Sequence, residues 1–438
     1  MSEIQESFCA SAPGKIIIFG EHAVVYGEPA IAASLADLRT MVKVTVDSEK
    51  AELISVRFPD FSTTDVTLQS KGMCFDSLNS PPTANDATLL REAIFCQVPA
   101  LDESSTSALV VLIYLLNILT SEYLHHGLEI TVRSNFPMGA GLGSSAAFSV
   151  ALTAALLRLK LALSEKPSLP PLGRPAENHL DTINTYAFYA ETLLHGNPSG
   201  IDNSVSTYGG GICYTKDLVN PGKGSMERFR MPPLSVMLVN TNVPKSTKAL
   251  VASVRTMYEE HPEVVGCILK CIGEITQEFR NLVEKKETKN QKVLTLVNTN
   301  QHMLRSVGVS HESLDHVCHV TETISEGQAA TKLTGAGGGG CAMIVLQTNE
   351  CNNSVSIEKL TQKIQKALEG GWHRWKFNCF RSSLGGDGAL WVDPKIFPST
   401  NEISCKDCIL TCDYKALKLA CLSAVVGLGF LYLRKSRR

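Results

Sequence analysis

The sequence predicts an α+β chain built as two domains, and three observations carry that prediction. At 438 residues the chain is long enough for two hydrophobic cores. Strand-like and helix-like stretches are interleaved without the strict alternation that a doubly wound sheet requires. No segment repeats at the length that would signal a solenoid. Composition is that of an ordinary globular protein, and a net charge of −2 gives no electrostatic case for nucleic acid. Fourteen scattered cysteines, after an N-terminus (MSEIQESFCA) with no apolar run, point to reduced thiols in the cytoplasm.

Residues 16–19, 40–46 and 51–58 read as strands, bounded by Gly, Pro and Asp signals. The stretch 76–106 is polar at both ends and is expected to loop around a short helix. Ser107 to Tyr123 is apolar and Leu-rich; it reads as a core helix, too short for a confident span. Residues 128–136 form a strand that runs into the glycine loop PMGAGLGSSAA (137–147), and a helix follows with no charge before Arg158. A loop at 164–178 precedes a helix over about 180–195. Pro198 begins a further helix that Tyr208-Gly209 ends. Met231 to Asn240 contains a new strand, so the domains are divided as 1–225 and 226–396. Helices are expected at 245–259, 262–285 and 290–305. The glycine run 335–340 then leads into the strand CAMIVLQ, a helix at 355–370, and a last strand ending near Val392.

A polar linker (397–415) and an apolar segment (416–438) complete the chain. Leu419 to Leu433 carries no charge, and RKSRR follows it. With Lys418 snorkelling, the segment reaches the lower limit for crossing a bilayer. It is apolar all round, so it reads as a tail anchor to an intracellular membrane rather than as a packed helix. The basic end suits the mitochondrial outer membrane or the peroxisome. Cys405, Cys408 and Cys412 lack the second ligand pair that zinc needs, and are candidates for palmitoylation instead.

Four constellations can carry chemistry. The glycine loop before a helix is a phosphate cradle: backbone N–H groups close on an anion, and the helix dipole adds positive potential. One of its two serines can cap the helix while the other faces a metal–phosphate complex. In SAPGKIIIFGEHAVVYGEPA (11–30), Lys15 opens an aliphatic strand, and Glu21 and His22 stand on the turn beyond it. In AFYAETLLHGNPSGIDN (187–203), Ala187, Ala190 and Leu194 recur at helical spacing, and Glu191 beside that inner face must find a cation. Asp202 falls in the first turn of the next helix, where the dipole stabilises its charge. KLTGAGGGGC (332–341) formally matches a dinucleotide fingerprint through Gly335, Gly337 and Gly340. A strand follows it, however, so it reads as a loop for close backbone approach. His311, His316 and His319 around Cys318 lie on an amphipathic helix and read as surface or core residues, not a metal site. Neither a Walker loop nor the protein-kinase signatures occur.

In this order, PGKIIIFGEHAVVYG, PMGAGLGSSAA and KLTGAGGGGC resemble the GHMP small-molecule kinases, over roughly residues 8–392. GEHAVVYG, where galactokinases carry GEHTDY, is similar to the branch that acts on mevalonate. HGNPSGIDN, TNVPKSTKALVASVR (241–255) and HESLDHVCHVT (311–321) share that likeness. The resemblance implies the two-domain GHMP kinase fold: an N-terminal ATP-binding α+β domain and a C-terminal ferredoxin-like domain, with the site between them. It implies ATP and Mg2+ as cofactors, a homodimer, and phosphorylation of the terminal hydroxyl of mevalonate to 5-phosphomevalonate in isoprenoid and sterol biosynthesis. By the same carry-over, Gly139, Ala140, Gly141, Leu142, Gly143, Ser144 and Ser145 wrap the ATP phosphates, and Ser134 contacts the nucleotide. Ser145 and Glu191 hold magnesium. Asp202 is the catalytic base, and Lys15 steadies both the hydroxyl and the migrating phosphoryl group. Glu21, His22 and Thr247 help to place mevalonate or the groups around it. A further family nucleotide contact falls near Asp60, where Asn is expected.

Overall fold

The computed structural model describes residues 6–62, 65–75, 77–124, 126–136, 140–164, 169–220, 224–288, 291–347, 354–370 and 374–398. Its first body is organised by two long antiparallel strands, β1 (Glu6–Phe19) and β2 (Ala30–Val46). Around them lie β3 (Leu53–Arg57), β4 (Val66–Gln69), β5 (Leu128–Ser134), β6 (Gly211–Lys216) and β7 (Gly224–Phe229). The ladder between β1 and β2 shifts register between Pro13 and Lys15, so Lys15 pairs with Ser34 whereas Pro13 pairs with Arg39. A bulge of this kind bends the strand and re-aims a side chain. Here that side chain is Lys15.

The helices of this body are α1 (Ala84–Gln97), α2 (Glu103–Thr120), α3 (Ser144–Leu163), α4 (Glu177–His195) and α5 (Ile201–Tyr208). By length and composition α2 and α3 could each cross a membrane, yet 72% and 78% of their apolar windows are buried inside the protein. They form the core. Every residue from Leu109 to Leu116 is buried, and each such side chain contributes about 1.5–3 kcal/mol of transfer free energy.

The second body comprises β8 (Ser235–Asn240), α6 (Thr247–Glu260), α7 (Pro262–Glu284), α8 (Gln291–Ser306), α9 (Glu312–Ser325), β9 (Ala329–Leu333), β10 (Cys341–Leu346), α10 (Ser354–Gly370) and β11 (Asn378–Ser383). Its sheet runs β11-β8-β10-β9 with every pairing antiparallel, the strand order of a ferredoxin-like fold. Leu269, Ile272, Ile275, Phe279 and Leu282 recur on one face of α7 and are buried. That face meets the first body: Phe19 packs on Phe279 at 4.9 Å, within a core that also takes Ile16, Ile31, Leu238 and Met343.

Several expectations shift. Residue 226 falls inside β7, which still belongs to the first sheet. The chain returns to that sheet at β12 (Leu390–Val392), pairing Cys9 with Val392. The helix expected from Pro198 begins at Ile201 with Gly200 as its N-cap. Strands β4, β6, β7, β9 and β11 had no reading of their own. Residues 399–438, with the tail anchor and Cys405, Cys408 and Cys412, lie outside the described residues.

Candidate active site

Strand β5 delivers the chain to the glycine loop. The Ser134 amide donates to Asp60 Oδ2 at 2.7 Å, and Arg133 Nε donates to the same oxygen at 3.0 Å. Asp60 therefore secures the end of β5. Ser134 Oγ donates to the Phe136 carbonyl at 3.2 Å. Gly139 lies outside the described residues. From Ala140 onward, Ala140 and Leu142 are buried, and the Leu142 carbonyl accepts from the Lys15 amide at 2.8 Å. Gly143, in the left-handed region at φ +70°, is the N-cap of α3. A Cβ there would stand 2.7 Å from Lys15 Cγ. With no side-chain acceptor at this cap, Ser144 and Ser145 open a helix whose N-terminus is arranged for an anion.

Lys15 Nζ lies 2.9 Å from Asp202 Oδ1, the lysine side chain 9% exposed and the aspartate 39%. Asp202 occupies the first turn of α5, as the sequence indicates. Ser206 of the same helix donates to the Pro13 carbonyl at 2.8 Å, which fixes α5 against β1. Across the cleft end of α3, Glu191 is buried. Its Oε2 accepts from Ser145 Oγ at 3.1 Å and its Oε1 from Ser149 Oγ at 3.2 Å. Burial, reinforced by the nearby Asp202 charge, pushes the Glu191 carboxyl up to about 7, against the pull of the two hydroxyls and Lys15. His195, one turn on, places Nε2 3.6 Å from Glu191 Oε2 and 3.5 Å from Ser145 Oγ.

The opposite wall comes from the second body. Lys245 Nζ reaches between the two glycine loops, 3.3 Å from the place of a Cβ on Gly141 and 2.5 Å from that on Gly340. Burial, with a contribution from Lys15, lowers its pKa below the usual lysine range. The glycines after Thr334 do serve close approach: a Cβ on Gly337, at φ +78°, would meet the Val309 carbonyl at 2.0 Å. Thr247 is exposed at the start of α6, where Ser246 Oγ accepts from the Ala249 amide at 3.2 Å.

Glu21 and His22 are held against the second body. Glu21 is fully buried, ion-paired with Lys332 and hydrogen-bonded by Asn300 Nδ2 at 3.3 Å. His22 Nε2 donates to the Ala336 carbonyl at 2.9 Å. Both side chains tie the turn after β1 to the second body, beside the glycine run. His316 stacks on Phe377, and His311 caps α9 through the Ser313 amide. Sequence reasoning passed over Lys245, Ser149, His195, Asn300 and Lys332. Only Lys245 carried a signal, a cation placed just before a Ser-Thr helix start.

The donor set fits a hard divalent cation. Among the described residues no three His, Cys, Asp or Glu side chains form a closed cage. One buried carboxylate and one hydroxyl at a phosphate cradle suit an ion that completes its shell with phosphate and water.

Comparison with known proteins identifies the family. Residues 108–211, from α2 to β6, match the GHMP kinases N terminal domain family. A mevalonate kinase of Bos taurus is 36% identical over 403 residues, covering 88% of this chain and 95% of its own. One from Homo sapiens is 37% identical over the same shares. The crystal structure of L. major mevalonate kinase in complex with R-mevalonate superposes with a TM-score of 0.62 at 21% identity. It covers 86% of this chain and 96% of its own, a likeness of fold. The chain belongs to the mevalonate kinase family of the GHMP kinases.

Proposed function

We propose that this chain transfers the terminal phosphoryl group of ATP to the terminal hydroxyl of mevalonate, giving 5-phosphomevalonate. The observation that carries the reading is the 2.9 Å pair of Lys15 and Asp202 beside a glycine-capped helix start bearing Ser145 and Glu191. Phosphoryl transfer passes through a loose transition state, so positioning and charge neutralisation supply most of the rate. The loop from Ala140 to Ser145 cradles the phosphates with backbone amides, and Lys245 and Lys15 place positive charge on either side of the migrating group. Asp202 orients the hydroxyl and accepts its proton. Lys15, 2.9 Å away, holds the Asp202 carboxylate in place for that step. Ser145 and Glu191 would hold magnesium, which supplies charge neutralisation at the phosphates. Glu21 and His22 support this site through their contacts with the second body, and the exposed Thr247 at the start of α6 would contribute to substrate placement.

The test is ADP release with mevalonate, phosphomevalonate, homoserine and galactose in turn, with and without magnesium. Mevalonate alone should support magnesium-dependent turnover. Preference for another alcohol would overturn the substrate assignment. The membrane reading of 416–438 has its own test, a fluorescent protein fused to residues 405–438. Organelle-bound fluorescence is expected, and diffuse fluorescence would reject the anchor.

A further inference from the structure

We infer that His195 is a third ligand at the divalent-cation position of Ser145 and Glu191, giving that position a nitrogen donor and an affinity for Mn2+ and Co2+. The inference rests on the kinase reading above, which needs only the two oxygen ligands. Glu191 and His195 are four residues apart on the last turn of α4, so they share one face. Three atoms form a triangle: Ser145 Oγ to Glu191 Oε2 is 3.1 Å, Ser145 Oγ to His195 Nε2 is 3.5 Å, and His195 Nε2 to Glu191 Oε2 is 3.6 Å. The two distances from the imidazole are longer than a good hydrogen bond, whose range ends near 3.2 Å. Donors about 2.1–2.2 Å from one ion, at octahedral to tetrahedral angles, stand about 3.0–3.6 Å apart. All three edges fall in that range, so a single point lies about 2 Å from each donor.

The surroundings suit a cation at this point. The carbonyl end of α4 contributes negative potential, while the amide end of α3 faces the phosphates. Glu191 is buried and His195 is 56% exposed, so the triangle opens toward solvent rather than into the core. Magnesium prefers oxygen donors and gains little from imidazole, whereas a nitrogen donor strengthens binding of the first-row ions, modestly for Mn2+ and more for Co2+. His195 therefore sets which ions the kinase can use.

The experiment uses the full chain with Mn2+ and ADP. Pulsed EPR on protein grown with 15N-histidine separates the imidazole from adenine and from backbone nitrogen. Coupling of Mn2+ to a histidine 15N is expected in the wild type and should vanish in His195→Ala. The same variant should bind Mn2+ about tenfold more weakly and Mg2+ less than threefold more weakly. Absence of histidine coupling, with Glu191→Gln still abolishing Mn2+ binding, would overturn the role of His195 and leave the kinase reading standing. If Glu191→Gln left Mn2+ binding unchanged, the cation position itself would be wrong. Because His195 is largely exposed, circular dichroism of His195→Ala should match the wild type and exclude misfolding.

Discussion

Lys245 shows why single residues are hard to weigh in a bare sequence. A lysine in a polar stretch before a helix resembles a solubilising charge, and only the folded chain brings it between Gly141 and Gly340. Removing a cation aimed at developing phosphate charge costs about 10²-fold or more in turnover. Lys245→Ala should therefore lower kcat by that order, measured by steady-state ADP release, and an unchanged kcat would remove it from the machinery. Asp202, Lys15, Ser145 and Glu191 could be singled out because each stands at a point in a local pattern: a helix start, the opening of an aliphatic strand, the side of an inner helical face; their roles came from the family resemblance. Glu21 and His22 were legible as a polar turn, but not as a turn facing the second body. A pH prediction follows for His22. Burial lowers its pKa below the usual 6.5, with the Ala336 carbonyl opposing. As pH falls below about 6.5, the unfolded chain therefore takes up a proton that the folded chain refuses. Stability is complete above that pH and is lost below it. His22→Asn, which tolerates the positive φ of this position, should flatten the loss between pH 7.5 and 5.5 in urea unfolding; an unchanged slope would contradict the assignment.

At the scale of elements, the sequence marked most helices well, because their apolar faces recur cleanly and their ends carry Gly, Pro or Ser. The short strands were harder. All of β9 is buried, and β7 is exposed along most of its length, so neither shows the alternation that marks a half-buried strand. The glycine loop between β5 and α3, which packs against Lys15 of β1, is the element on which catalysis depends. Gly143→Ala would force a Cβ into the left-handed region, costing about 1–2 kcal/mol, and press it against Lys15 Cγ. The variant should lose turnover through the displaced lysine as well as some stability. Thermal unfolding with kinetics on the same sample checks this, and full activity would show that Lys15 is not placed by this contact.

The whole molecule depends on contacts that no local pattern announces. Strand β12 closes the first sheet from the far end of the chain, and Thr334 Oγ1 donates to the Ile17 carbonyl across the two bodies at 2.9 Å. The Glu21–Lys332 pair spans the same junction, wholly buried. Removing one partner of such a pair costs about 3–5 kcal/mol, whereas replacing both with neutral groups recovers much of it. Lys332→Met should lower the unfolding midpoint strongly, and Glu21→Gln/Lys332→Met should restore part of the loss. Equal stability of the single variant and the wild type would show that the bodies are not held by this pair. Since the core around Phe19 and Phe279 is shared, the two bodies should unfold together.

The account stands on the convergence of Asp202, Lys15, Ser145 and Glu191 around one transferring phosphoryl group. Its most direct test is mevalonate-dependent turnover of Asp202→Asn alongside nucleotide binding by the same protein. Turnover should fall about 10²-fold or more, in the range expected for removal of a general base, while nucleotide binding stays close to wild type. Turnover near the wild-type rate would contradict the central claim.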